Sequence, residues 1–165
     1  MEIFRGRRLW IEQRNVRLPN GLERQKVIIH PGNAVAILPI NGDQCKLIRQ
    51  YRYAIDSYIF EAPAGTLEAG ENPLDAAGRE LIEETGFTAQ IMEPKGFIIT
   101  TPGYTDEKIF LFEARGLSPS DEYSKDEDEV IEVLDVPIKD LDRMIREGTI
   151  VDAKTICIIH RCLGC

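Results

Sequence analysis

No run in this 165-residue chain approaches the roughly 18 consecutive apolar residues of a membrane span, and the opening MEIFRGRRLW lacks the apolar core of a secretory signal. A membrane partner is therefore not expected, and the reading is a cytoplasmic protein. Positive charge is also short, with 20 Lys and Arg against 28 Asp and Glu, a net charge of −8 and a pI near 4.9. That balance argues against a nucleic-acid backbone as the main partner, because such affinity rests on clustered Lys and Arg. Any phosphate bound here is expected to arrive with a metal ion. Cysteine is scarce too. Cys45 stands alone in a strand-like segment and reads as a small buried hydrophobe. Cys157, His160, Cys162 and Cys165 crowd one C-terminal helix and its end, which does not present four ligands tetrahedrally, so they read as reduced thiols rather than a zinc site or a disulfide. Gly164 occupies a position that a prenylation box reserves for an aliphatic residue, which removes a lipid anchor from the reading.

What the chain has is a stretch dense in committed residues, GTLEAGENPLDAAGRELIEETGF from Gly65 to Phe87. Asn72 followed by Pro73 has the form of an N-cap and a first helical residue, and Gly86 supplies a left-handed C-cap, so a helix of about four turns is fixed at both ends. At 100° per residue Leu74, Ala77, Gly78, Leu81 and Thr85 gather on one side as the expected core face. Glu80, Glu83 and Glu84 gather on the other, with Arg79 at the margin. Taken alone, clustered carboxylates describe a solvated acidic face, and like charges at i,i+4 cost a few tenths of a kcal/mol. A hard divalent cation changes that balance, since Mg²⁺ binds through one or two carboxylates plus substrate phosphates.

The spacing resembles a known family. Gly65, five residues, Glu71, seven residues, then Arg79-Glu80-Leu81-x-Glu83-Glu84-x-Gly86-Phe87 matches the Nudix box at every defined position. Three further segments resemble the ADP-ribose pyrophosphatases of that family: Arg49-Gln50-Tyr51-Arg52, the run Glu61-Ala62-Pro63-Ala64-Gly65, and Pro102, sixteen residues beyond Gly86. The resemblance spans about residues 25 to 160. It implies an α/β fold of the Nudix type, a mixed-sheet α/β/α sandwich, and hydrolysis of ADP-ribose to AMP and ribose 5-phosphate with Mg²⁺ or Mn²⁺. The implied ligands are Glu80, Glu84 and the Ala64 carbonyl, assisted by Glu83. Arg52 and Arg49, with Glu61 and Pro102, are the implied substrate residues, a planar guanidinium being suited to two phosphate oxygens. Gly65, Glu71, Arg79 and Gly86 are expected to hold the geometry. Two alternatives stay open: hydrolysis of another nucleoside diphosphate derivative, and a non-catalytic module that binds ADP-ribose. The box carboxylates are intact, whereas such modules usually carry damaged ones.

Around this centre, residues 2 to 30 alternate in strand fashion between turn signals at Arg5-Gly6 and Pro19-Asn20-Gly21. They read as an N-terminal β extension, and 31–165 as the catalytic domain. The resemblance adds that the extension joins two copies in a homodimer, which would cover Trp10. A buried strand is expected from Ala34 to Ile40, an arginine-bearing strand from Lys46 to Tyr53, a strand pair over Ala89 to Thr100 broken at Pro94-Lys95-Gly96, and a strand from Lys108 to Ala114. Residues 118 to 129, SPSDEYSKDEDE, read as an acidic loop before a strand from Val130 to Val136. By the resemblance that loop brings Glu129 or Glu127 into the site as general base. Helices are expected from Pro137 to Glu147, with Leu141, Met144 and Ile145 inward, and after a cap at Asp152, with Ile156, Ile159 and Leu163 inward.

Overall fold

The computed structural model describes residues 1–121 and 131–164. Three antiparallel strands open the chain: β1 (Glu2–Arg5), β2 (Trp10–Arg17) and β3 (Glu23–His30). This small sheet leaves most of its side chains exposed. It is tied to the rest by the Ile29 N–H donating to the Tyr104 carbonyl at 2.8 Å and by His30 Nδ1 against Asp106 Oδ2 at 2.7 Å, while within the sheet His30 stacks on Trp10 at 3.8 Å.

The larger sheet has seven strands, with β4 (Ala34–Asn41) at its centre, parallel to β9 (Lys108–Pro119). Strand β5 (Gln44–Arg52) leaves β4 by a hairpin and pairs with it only at Ile40 and Asn41. Beyond that point the two strands are paired to different neighbours: β6 (Ser57–Glu61) runs along Ile48 to Arg52, and β7 (Ala64–Thr66) along Ala34 to Ala36. The segment Glu61-Ala62-Pro63-Ala64 is thus wedged between two diverging strands, at the middle of the sheet. Strands β10 (Ile131–Pro137) and β8 (Phe87–Ile99) form the edges.

Both faces of β4 are buried, and its alternation assigns them. Val35 and Ile37 meet Ala76, Ala77 and Leu81 of helix α1 (Pro73–Thr85), while Ala36, Leu38 and Ile40 meet Leu141 of α2 (Ile138–Arg146) and Ile158 and Ile159 of α3 (Ala153–Leu163). One helix above and two below the sheet give the three layers that the sequence implied.

Two expectations need correction. The segment Ala89 to Thr100 is not a broken pair. All of it but Thr100 belongs to one 13-residue strand with a register shift between Pro94 and Phe97, where Gly96 takes φ +88°, so the turn signal is absorbed as a bulge. In α1 the inward face is rotated: Leu74 is exposed, whereas Ala76, Glu80 and Glu84 are buried with Ala77, Leu81 and Thr85. Wedge residues, rather than solvent, meet the two glutamates, and this contact turns the helix toward them. The strand expected from Val130 is described from Ile131 onward. Cys45, Cys157 and Cys162 are free thiols, and burial pushes Cys45 and Cys162 up to about 12, which leaves both protonated and unreactive.

Leu81 is fully buried between α1 and β4, so Leu81→Ala is expected to lower stability by about 2–5 kcal/mol through lost transfer energy and cavity formation. Urea unfolding followed by circular dichroism checks this, and a loss under about 1 kcal/mol contradicts the packing described.

Candidate active site

Helix α1 begins as its sequence dictates. The Asn72 side chain accepts from the Leu74 N–H at 2.9 Å, Pro73 sits at the first helical position, and Gly86 ends the helix at φ +75° with its N–H on the Ile82 carbonyl. Fixing both ends fixes where the carboxylates stand along the axis. Glu84 Oε2 accepts the Ala64 N–H at 2.7 Å, which joins the helix directly to the wedge. Glu80 lies against Gly65, where a Cβ would come within 1.9 Å of its carboxylate carbon. Gly65 does not have a positive φ, so space and not backbone freedom explains the glycine.

Arg79 is the cation of this cluster. Its Nε and Nη2 donate to the two oxygens of Glu71 at 2.9 and 3.0 Å, and its Nη1 to Glu80 Oε1 at 2.7 Å and Glu83 Oε2 at 2.8 Å. The remaining reach of Nη2 is to the Thr66 carbonyl at 3.3 Å. Hydrogen bonding to Glu71 and the field of Glu80 hold the guanidinium firmly charged. In return the Arg79 guanidinium and the Glu68 N–H hold the Glu71 carboxyl below the usual carboxylate range.

A second charged group lies across the cleft. Glu61, at 1% exposure, accepts from Arg52 Nε at 2.5 Å and Nη2 at 2.7 Å, and from Lys154 Nζ at the start of α3. Burial alone would push its carboxyl up, but Arg52 and Lys154 outweigh burial and hold it below the ordinary value of 4.5. The open cleft between these two groups has a volume of about 1180 Å³; Ala64, Gly65, Glu80, Glu83, Glu84 and Arg52 line its floor.

The cleft thus brings together Arg52, Ala64, Gly65, Arg79, Glu80, Glu83 and Glu84, and Glu71 and Glu61 stand behind them. Arg49 is not brought there: its guanidinium lies over the Tyr58 ring at 4.6 Å and 3.5 Å from Glu132, because it is three positions from Arg52 on an alternating strand. Pro102 sits in the exposed turn after Thr101, outside the residues that line the cleft. Glu127 and Glu129 lie outside the described residues. Sequence reasoning missed Lys154, whose only signal was its place two residues after the capping Asp152. It also missed Arg7 and Arg8, which reach the cleft mouth from the β1–β2 turn.

The donor set fits a hard divalent cation in part. Two buried carboxylates, one of them packed so closely on residue 65 that no Cβ fits there, are oxygen ligands of the kind Mg²⁺ takes together with substrate phosphates. Among the described residues no three acidic, His or Cys side chains converge to hold an ion by themselves. The other ligands would have to be water and phosphate oxygens.

A family model described as NUDIX domain matches residues 30–157, and the chain belongs to the Nudix family of hydrolases. It is 39% identical over 162 residues to an ADP-ribose pyrophosphatase of Bacillus subtilis, covering 96% of this chain and 87% of that protein. It is 36% identical over 161 residues to a methanol dehydrogenase activator of Bacillus methanolicus, with the same coverage. The solved structure of an ADP compounds hydrolase superposes with a TM-score of 0.87 at 26% identity, covering 98% of this chain and 88% of that one.

Two outcomes follow from this geometry. Gly65→Ala drives a methyl group into the Glu80 carboxylate and is expected to lower turnover about 100-fold, the scale of a 1 Å misplacement; steady-state kinetics within twofold of wild type contradict it. Glu61, whose folded value lies below its unfolded one, adds stability that is fully present above pH 4.5 and is lost as pH falls through the folded value. Thermal unfolding of Glu61→Gln should therefore depend less on pH below about 4.5 than that of wild type. An unchanged slope counts against the buried ion group.

Proposed function

We propose that this protein hydrolyses the pyrophosphate bond of ADP-ribose to AMP and ribose 5-phosphate with Mg²⁺ or Mn²⁺ as cofactor. The observation that carries the reading is the pair of buried carboxylates, Glu80 and Glu84, held against Ala64 and Gly65 directly across the cleft from Arg52. The alignment with the Bacillus subtilis pyrophosphatase over nearly the whole chain supports the choice of substrate.

In this reading Glu80, Glu84 and the Ala64 carbonyl hold the cation, with Glu83 at the outer edge. The cation supplies charge neutralisation on the pyrophosphate and acidifies the attacking water. Arg52 keeps two of its five N–H groups on Glu61 and turns the other three toward a phosphate group in the cleft. Arg79 orients the helix carboxylates by bonding Glu80 and Glu83 together with Glu71 of the preceding loop. Because Glu80 and Glu84 are committed to a cation that lowers their basicity, the proton of the water is assigned to Glu129 or Glu127 in the acidic loop, with Glu83 as the fallback. Product identification tests the substrate: equimolar AMP and ribose 5-phosphate are expected from ADP-ribose. Tight ADP-ribose binding without turnover at saturating Mg²⁺ sinks the proposal in favour of a binding module. Preferred cleavage of another nucleoside diphosphate derivative favours the second reading.

The protein is further proposed to be a cytoplasmic homodimer joined through its N-terminal extension. No helix among the described residues is long and apolar enough to cross a membrane. Residues 1–30 carry seven Lys and Arg against three Asp and Glu, while the remainder carries thirteen against twenty-five, so one copy's extension is complementary in charge to the other's domain. Ile3, Phe4, Leu22 and Val27 are exposed in the single chain, apolar surface that a second copy would cover.

Glu84→Gln keeps the helix caps and is expected to cut kcat by at least about tenfold, with KM changed less, and a kcat within threefold of wild type contradicts the ligand assignment. Light scattering at micromolar concentration should return twice the chain mass; the monomer mass contradicts the dimer.

A further inference from the structure

The first turn of α3 carries no Nudix-box residue, yet it is bonded to the catalytic floor at two points. Asp152 Oδ2 accepts the Thr155 N–H at 3.0 Å and the Thr155 hydroxyl at 2.6 Å, and the Thr155 oxygen accepts the Ala62 N–H at 2.7 Å. That chain of bonds ends one residue from Glu61 and two from Ala64. The second point is Lys154, whose Nζ donates to Asp152 Oδ2 at 3.0 Å and to Glu61 Oε2. Glu61 therefore lies between two cations, and Asp152 and Glu61 balance Lys154 and Arg52 in charge.

The two cations of this group differ in exposure. The Lys154 side chain is 12% exposed and held between two carboxylates, whereas that of Arg52 is 39% exposed on the wall of the cleft. A carboxylate at 1% exposure must be compensated, because an unpaired buried charge costs several kcal/mol. With Lys154 present, Arg52 supplies only part of that compensation, and three of its five N–H groups are not committed to Glu61 on a side chain that lines the cleft. Without Lys154, Glu61 has Arg52 alone, and the guanidinium that already bonds it through two N–H groups has its charge neutralised by that carboxylate, which leaves it a weaker partner for any phosphate.

We infer that Lys154 is a positioning residue for the hydrolysis, acting through Glu61 to hold Arg52 at the substrate phosphates, with Asp152 and Thr155 anchoring it. This rests on the reading of Arg52 as a phosphate ligand. It ties the substrate's affinity to the helix on the opposite side of the sheet from the metal-binding helix α1.

The test is steady-state kinetics with ADP-ribose at saturating Mg²⁺, together with thermal unfolding. Lys154→Met is expected to raise KM about tenfold with kcat within about threefold, because Glu61 then neutralises Arg52 while the α1 carboxylates are untouched. Lys154→Arg restores most of the KM, since a guanidinium still reaches Glu61. Asp152→Asn keeps the one oxygen that caps Thr155 and accepts from Lys154 but removes its charge, which weakens the hold on Lys154, so it raises KM by about threefold in a protein that folds as wild type. In an Arg52→Ala background, Lys154→Met adds nothing further to KM, which is the coupling expected of residues acting in one chain. A KM within twofold of wild type in Lys154→Met, or the same rise with and without Arg52, overturns the inference while leaving Arg52 as a phosphate ligand. An unchanged KM in Arg52→Ala alone overturns that reading of Arg52, and the inference with it. A lowered melting temperature with unchanged KM assigns Lys154 to stability only and also overturns it.

Discussion

Burying Glu80 and Glu84 on the sheet side of α1 is the constraint on which the rest of the site depends. A carboxylate removed from water loses several kcal/mol of solvation unless a cation or N–H donors replace it, and here Arg79 and the Ala64 N–H do so. Arg79 in turn needs Glu71 to stay in place, and Glu71 needs the loop that gives it the Glu68 N–H. The invariable consequence is crowding at residue 65, where only a glycine leaves room for the Glu80 carboxylate. A helix face that looks repulsive in isolation is thus bridged by one guanidinium and bonded to the loop that leads into it, and its remaining negative charge suits a cation.

The divergence of β4 and β5 makes room for this arrangement. Had the hairpin continued to pair, no gap would exist at the centre of the sheet for Glu61 to Ala64. The wedge presents one end to α1, through Ala64, and the other to α3, through Ala62 and Glu61. Helices on opposite faces of the sheet therefore bear on one four-residue segment. Displacement of that segment would disturb the proposed metal ligands and Arg52 together.

Much of this was legible in the sequence. The two caps of α1, the buried strand from Ala34, and the helices after Pro137 and Asp152 stand where the turn and cap residues indicated. The inward face of α1 was not, because hydropathy assigns Leu74 inward and glutamates outward, and only the wedge opposite them reverses that order. Pro94-Lys95-Gly96 misled for a related reason: a bulge uses the same residues as a turn, and the pairing of β8 with β9 on both sides decides between them. Arg49 and Arg52 look equivalent in the sequence, and strand alternation separates them. Lys154 left no motif at all, since its role depends on a residue 93 positions away.

The central claim is that Glu80 and Glu84 form a cation site, with Glu83 peripheral to it. Electron paramagnetic resonance of Mn²⁺ titrated into the substrate-free protein measures this directly, as bound ion loses its free signal. The account predicts a site that is retained in Glu83→Gln, weakened in Glu80→Gln or Glu84→Gln, and lost when both are changed. Undiminished Mn²⁺ binding in the double variant would contradict it.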